Sequence, residues 1–166
     1  VPGPTSRRFW SVLVLILVVA TGVRVTFIVA VARHDHHFYD AGYYELQART
    51  LAQGHGYNDP FQFLPGHPHR ATPAADPPPL TVFTILPVIA AGDAVGLAES
   101  TTQLLVRFEI MLLGLAGIVL IAQLARRLGG DSAGLIAAGI AALYPYLWIN
   151  DTLIMSESIA VLCVVG

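Results

Sequence analysis

The stretch FWSVLVLILVVATGVRVTFIVAVA, which runs from Phe9 to Ala32, decides the fold class, because it carries a single charge, Arg24. At 1.5 Å per residue, a helix of this length measures about 36 Å, enough to cross the roughly 30 Å hydrocarbon core of a bilayer. Ala30-Val31-Ala32 is similar to the cleavage site of a secretory signal, but the apolar region of a signal peptide is only about 7–15 residues long. We therefore expect an uncleaved anchor that forms the first membrane span, at about residues 9–32.

The composition of the whole chain also favours a membrane protein. Of its 166 residues, 55% are hydrophobic and 12% are charged, whereas a typical soluble domain is about 25% charged. Intrinsic disorder is excluded, since it requires low hydrophobicity and a high net charge. Lys and Arg together number 9 against 11 Asp and Glu, so a basic nucleic-acid-binding domain is excluded and membrane lipids are the expected surroundings. The single cysteine, Cys163, provides neither a disulfide framework nor a thiolate metal site.

Further apolar runs follow the first span, and they predict an all-α, multi-pass helical bundle in a membrane. Spans are expected at about residues 104–125 and 133–149, with an incomplete one at 158–166. The last run is too short to cross a bilayer, so we expect residues 1–166 to be the N-terminal part of a longer transmembrane protein. The run 79–97 is shorter and broken by Pro87, which favours a segment at the membrane interface over a crossing.

Two arginine doublets set the predicted topology in the cell membrane. Arg7-Arg8 precede the first span and Arg126-Arg127 follow the second, and the positive-inside rule places both doublets in the cytoplasm. Both can lie there only if the run 79–97 does not cross, in which case residues 33–103 form one long outer loop. The N-terminus is then cytoplasmic, and a site built from the loop is extracytoplasmic.

Three acidic residues in separate segments are expected to meet at the outer membrane boundary. Asp40 begins a predicted helix that ends near Gln53, Asp76 directly precedes three prolines, and Glu157 lies at the outer mouth of the next span. Carboxylates at such a place can act as a general base on an acceptor hydroxyl or hold a divalent cation. The alternatives stay open: Asp40 can be only a helix N-cap, and Asp76 and Glu157 only solvated acids.

Several stretches together resemble a known family. DAGYYELQARTLAQGHGY (40–57) is followed by the turn DPPPL (76–80), by LVRFEIMLLGLAGIVLIAQLARRLGG (105–130) and by AGLIAAGIAALYPYLWINDTLIMSE (133–157). This order resembles the GT-C fold glycosyltransferases, in particular the bacterial protein mannosyltransferase and aminoarabinose transferase group. The resemblance covers nearly the whole chain, but only about the first third of a typical member.

The resemblance implies an enzyme that moves a sugar from a polyprenyl-phosphate donor to a lipid, glycan or protein acceptor on the extracytoplasmic face. It implies that Asp40, which stands in a D-x-x-Y-Y-like motif, is the catalytic base, and that Glu157 is a second active-site acid. Arg107 matches the arginine that meets the donor phosphate, although within a turn of the membrane interface it can also snorkel. Asp76 matches a possible ligand of a divalent metal ion, although a third proline follows it where some members have Lys or His. The fragment alone is expected to be inactive.

Two other functional classes also fit an apolar chain of this kind. In a transporter or channel subunit, Arg24 and the outer acids would mark a permeation path, and in a non-catalytic scaffold the outer loop would bind a partner. Arg24 is more simply expected to pair inside the bundle or to snorkel. The clustered His34, His36 and His37 are expected to be loop histidines, since no closed set of metal ligands accompanies them.

Overall fold

The computed structural model describes residues 7–34, 40–67, 72–74 and 78–166 of the chain. In these ranges the fold is all-helical, with two 3₁₀ turns and one isolated bridge between Asn58 and Pro73. The α-helices are α1 (Arg7–Ala30), α2 (Asp40–Ala52), α3 (Pro79–Ala94), α4 (Glu99–Leu143), α5 (Pro145–Asn150) and α6 (Glu157–Val165). Two of them, α1 with its following turn and α4, are long and apolar enough to cross a membrane.

Helix α4 is a hairpin of two arms, 99–129 and 131–143, because Gly130 adopts φ 80° and ψ −176°. Glycine reaches this left-handed region without a steric penalty, so the chain can reverse there. The arms pack closely: a Cβ on Gly134 would lie 2.7 Å from the carbonyl oxygen of Ala122. Helix α1 lies against both arms, and the Arg126 guanidinium stacks 4.3 Å above the Phe9 ring.

This packing gives the molecule two distinct ends. The first end, which we call the arginine end, carries Arg7-Arg8 and Arg126-Arg127, because Phe9 and Arg126 are in contact. The opposite end, which we call the loop end, carries α2, α3 and the turn 151–157. Helix α1 approaches the loop end at Arg24, which donates hydrogen bonds to the Ala142 carbonyl oxygen and to the Asp151 carboxylate.

Two apolar cores stack along the bundle. The core near the arginine end joins α1 to both arms of α4 through Phe9, Leu13, Ala20, Ile118, Ala122, Ala138, Ala141 and Ala142. The core at the loop end joins α2 and α3 to the first arm of α4 and to the start of α6. Its members are Tyr44, Ala48, Val82, Ile85, Ile89, Val106, Ile110, Ile154 and Ile159. Burial of this face holds α2 against the bundle, with the start of α2 left exposed.

The helix boundaries confirm some predictions and correct others. The helix predicted from Asp40 is present as α2, and Gly54 with φ +83° follows it. The run 133–149 is not one helix: its first part ends at Leu143 and α5 begins at Pro145. Tyr144 is extended there (φ −66°, ψ 115°) because a residue before proline avoids the helical region. Pro87 does not break its run, since α3 continues through it.

Candidate functional site

Two of the predicted site acids, Asp40 and Glu157, lie near enough to Tyr44 for their charges to act on its hydroxyl. Asp40 is the first residue of α2, Tyr44 lies one turn later on the same face, and Glu157 is the first residue of α6. Burial raises the pKa of the Tyr44 hydroxyl above its usual 10.0, a hydrogen bond with Ser156 lowers it, and the negative charges of Asp40 and Glu157 raise it further. Tyr44 therefore stays protonated at neutral pH, between two carboxyl groups.

The two acids differ in their access to solvent. Asp40 is exposed at the start of α2, whereas Glu157 is half-buried. In the described part of the chain, Oε2 of Glu157 is buried and has no hydrogen-bond partner. An exposed carboxylate can take a proton from a bound hydroxyl. A buried oxygen without a donor is rare in folded proteins and calls for an explanation such as a ligand or a water.

Gln47 is a buried polar residue of α2 that the sequence analysis did not single out. It follows Tyr44 by one turn on the same face of α2, it is 0% exposed, and neither atom of its carboxamide has a hydrogen-bond partner among the described residues. Leaving a buried polar group unpaired costs about 1–3 kcal/mol. The signal was present in the sequence, since Asp40, Tyr44 and Gln47 follow the i, i+4, i+7 spacing of one helix face.

Glu45, on a second flank of α2, lies near Gln103 and Arg107 of the first arm of α4. Oε2 of Glu45 accepts a hydrogen bond from Nε2 of Gln103 at 2.8 Å. Burial raises the pKa of Glu45 above 4.5, while the Gln103 hydrogen bond and the charges of Arg107 and Arg49 oppose the rise. Arg107, predicted to meet the donor phosphate or to snorkel, is 8% exposed and donates to the Thr152 carbonyl oxygen at 3.1 Å. It thus points into the protein, towards the turn 151–157, and does not snorkel.

Arg24 pairs inside the bundle, which confirms the simpler of its interpretations. Its Nη2 and Nε lie 2.5 and 2.9 Å from Oδ2 of Asp151, and its Nη1 donates to the carbonyl oxygens of Ala142 and Ala20. The pair is closed to solvent, with side-chain exposures of 0% and 5%. Asp151 was missed, although an arginine within an apolar run requires an acceptor and this acid stands in a segment that the sequence predicts to lie outside.

The remaining predicted ligands give no metal centre. Asp76, His36 and His37 lie outside the described residues, and His34 is exposed at the end of its 3₁₀ turn. Within the described ranges, no group of three His, Cys, Asp or Glu side chains could hold a metal ion. The divalent ion and the role of Asp76 therefore stay predictions.

Comparison with known proteins adds no identification, since no family model, no curated protein and no solved structure matches this chain. The chemistry available at the site is that of its own residues. They offer an exposed carboxylate (Asp40), a protonated hydroxyl (Tyr44), a buried carboxamide (Gln47) and a partly buried acid (Glu157). Such a set can bind hydroxyl groups through several hydrogen bonds and remove a proton from one of them.

Proposed function

We propose that this chain is the N-terminal part of a multi-pass membrane glycosyltransferase of the GT-C type. The observation that carries the proposal is that α2 and α6 begin with Asp40 and Glu157, and that both acids lie near enough to Tyr44 for their charges to act on its hydroxyl. This cluster lies at the loop end of the bundle, opposite both arginine doublets. If the doublets are cytoplasmic, as the positive-inside rule requires, the cluster faces the extracytoplasmic side, at the depth where a lipid-borne phosphate would lie.

In the proposed reaction, a hydroxyl of the acceptor attacks the anomeric carbon of the sugar. A new glycosidic bond forms, and the bond from that carbon to the polyprenyl-phosphate oxygen breaks with its electron pair. Asp40 takes the proton of the attacking hydroxyl, and the phosphate leaves as the anion. Glu157, Tyr44 and Gln47 hold the sugar or acceptor hydroxyls, because together they supply both donors and acceptors.

Arg107 is the cation that we assign to the donor phosphate. An arginine can give charge-assisted, bidentate hydrogen bonds to phosphate oxygens, but this one also supports the Thr152 carbonyl. Arg107→Lys keeps the positive charge but loses the planar guanidinium that can form two parallel hydrogen bonds. If Arg107 binds the donor, we expect Arg107→Lys to raise the KM for the donor strongly without unfolding the protein. An unchanged KM for the donor would leave Arg107 with its structural role alone.

The function is tested with the full-length protein in proteoliposomes. The donor is a polyprenyl phosphate that carries a radiolabelled sugar, and the control donor is the same sugar on a nucleoside diphosphate. We expect transfer of label only from the polyprenyl donor, and a divalent ion at Asp76 would make it sensitive to a chelator. Movement of a solute across the vesicle membrane without any transfer of sugar would instead favour the alternative function of a transporter or channel subunit.

A further inference from the structure

A buried polar network lies directly behind the acid cluster. One oxygen of Asp151, Oδ2, accepts from Arg24, and the other, Oδ1, accepts from Oγ of Ser158 at 2.7 Å. All three residues are buried. Since both carboxylate oxygens are occupied by donors from two different helices, α1 and α6, the direction of the Asp151 side chain is fixed.

The first arm of α4 is shaped to receive this carboxylate. Gly114 faces it so closely that a Cβ at this position would overlap Cγ and both oxygens of Asp151. The second arm contributes the Ala142 carbonyl, which accepts from Nη1 of Arg24 at 3.1 Å. The network therefore joins α1, both arms of α4 and α6 at one point.

The network also fixes the turn that presents the site acid. Residues 151–157 begin at Asp151, and Ser158, which follows Glu157, closes back on Asp151. A second arginine holds the next residue, because Arg107 donates to the Thr152 carbonyl, and the Thr152 hydroxyl donates to the Ile149 carbonyl at 2.7 Å. The turn is thus held at both ends, and between them it carries Ser156 and Glu157 to Tyr44.

We propose that Arg24, Asp151 and Ser158 are positioning residues of the transferase site, which orient Glu157 and Ser156 against Tyr44. This inference rests on the proposed function. A merely stabilising role would not require these residue types, since apolar side chains of similar volume can replace a buried ion pair without loss of stability. Apolar side chains have no directional hydrogen bonds, however, and cannot fix the orientation of the turn.

Two variants of the full-length protein separate orientation from stability. The double variant Arg24→Met with Asp151→Leu removes both charges together, which avoids a lone buried charge, and Ser158→Ala removes a single hydrogen bond. The control is Ser11→Ala, whose hydroxyl donates to the Arg7 carbonyl oxygen of its own helix. We expect the double variant to unfold at a temperature close to that of the wild type. Its kcat should fall by about 100-fold, and the KM of the substrate whose hydroxyls Glu157 holds should rise, with smaller effects for Ser158→Ala and none for Ser11→Ala.

A second readout does not depend on activity. In a Cys163→Ala background, Glu157→Cys is labelled with a small thiol reagent, with and without the network variants. We expect labelling at position 157 to become severalfold faster when the network is removed. Unchanged labelling, or faster labelling with an unchanged kcat, would overturn the proposal. If the wild type transfers no sugar, the proposed function fails, and the labelling rates alone then decide whether the network orients the turn.

Discussion

At the scale of single residues, the site depends on polar groups that α2 buries at the edge of an apolar core. Tyr44 and Ala48 belong to that core, while Glu45 and Gln47 flank the same face and are buried with it. The helix thus brings a carboxyl group and a carboxamide out of water together with the apolar side chains. Burial of such groups costs free energy, so replacing either of these two polar side chains should change the measured stability of the protein.

The first prediction concerns Glu45, whose pKa is raised by burial. The folded chain binds the Glu45 proton more tightly than the unfolded chain does. The stability that protonated Glu45 contributes is therefore fully present below about pH 4.5 and is lost as the pH rises through the raised pKa. We expect Glu45→Gln to remove this loss, so that its unfolding temperature exceeds that of the wild type increasingly as the pH rises from about 4.5 through the raised pKa of Glu45, and by a constant amount above it. Glu99→Gln, at a side chain that is 71% exposed, is the control. Parallel pH profiles for Glu45→Gln and wild type would contradict the prediction.

The second prediction concerns Gln47, whose carboxamide has no partner among the described residues. Methionine has a similar shape and no polar hydrogen, so Gln47→Met should raise the free energy of unfolding by about 1–3 kcal/mol. If the carboxamide serves the site, the same variant should also lower turnover. Gln53→Met, at the exposed residue just after α2, should change neither quantity. Chemical denaturation measures the first effect, and a less stable Gln47→Met would show that the carboxamide is paired.

At the scale of elements, the bundle depends on close approach between helices. Gly114 admits the Asp151 carboxylate, and Gly134 admits the Ala122 carbonyl. Both glycines lie within α4, where each would otherwise weaken the helix relative to alanine by about 1 kcal/mol. Their presence in the helix interior is explained by what packs against them.

Gly114→Ala is therefore expected to destabilise the protein, although alanine is the better helix former. The added Cβ overlaps the carboxylate that Arg24 and Ser158 hold in place, so the free energy of unfolding should fall by about 1–3 kcal/mol. Gly22→Ala in α1 is the matched control, because nothing lies within 4 Å of its Cβ position. It should gain about 0.5–1 kcal/mol. A Gly114→Ala variant as stable as Gly22→Ala would contradict the close packing of α4 and Asp151.

Elements with local signals could be predicted from the sequence, and contacts between elements could not. The long apolar run gives α1, and the spacing from Asp40 to Gly54 gives α2, because both signals lie in consecutive residues. Pro145 follows the end of a helix, as the restriction on the residue before proline predicts, but Pro87 lies inside one. A proline alone therefore does not predict a helix end. The pairing of Arg24 with Asp151 spans 127 positions, and its geometry depends on the reversal at Gly130.

At the scale of the whole molecule, the two ends of the bundle differ in charge and in chemistry. The arginine end carries both doublets, with Arg126 paired to Asp131 at 2.6 Å. The loop end carries the acids around Tyr44 and the ion pair of Arg49 with Asp93. The proposed topology requires the first end to be cytoplasmic and the second to be extracytoplasmic.

Cysteine labelling in intact cells tests this topology. In a Cys163→Ala background, Leu128→Cys reports the arginine end, since Leu128 is 83% exposed, and His67→Cys reports the exposed loop. We expect an impermeant thiol reagent to label position 67 from outside and to reach position 128 only after permeabilisation. Labelling of both positions from outside would show that the run 79–97 crosses the membrane.

The most direct test of the proposed site compares the turnover of Asp40→Asn with that of Asp59→Asn in the full-length protein. Asp59 lies in the same loop, and its carboxylate caps a 3₁₀ turn through the Phe61 N–H at 3.0 Å. Asparagine caps a helix as well as aspartate does but cannot act as a base. If Asp40 is the catalytic base, Asp40→Asn should lower kcat by about 10²–10⁴-fold while donor binding and stability persist, and Asp59→Asn should be silent. Full activity of both variants would leave Asp40 as an acid in the first turn of α2 without a catalytic role and would contradict the proposed site.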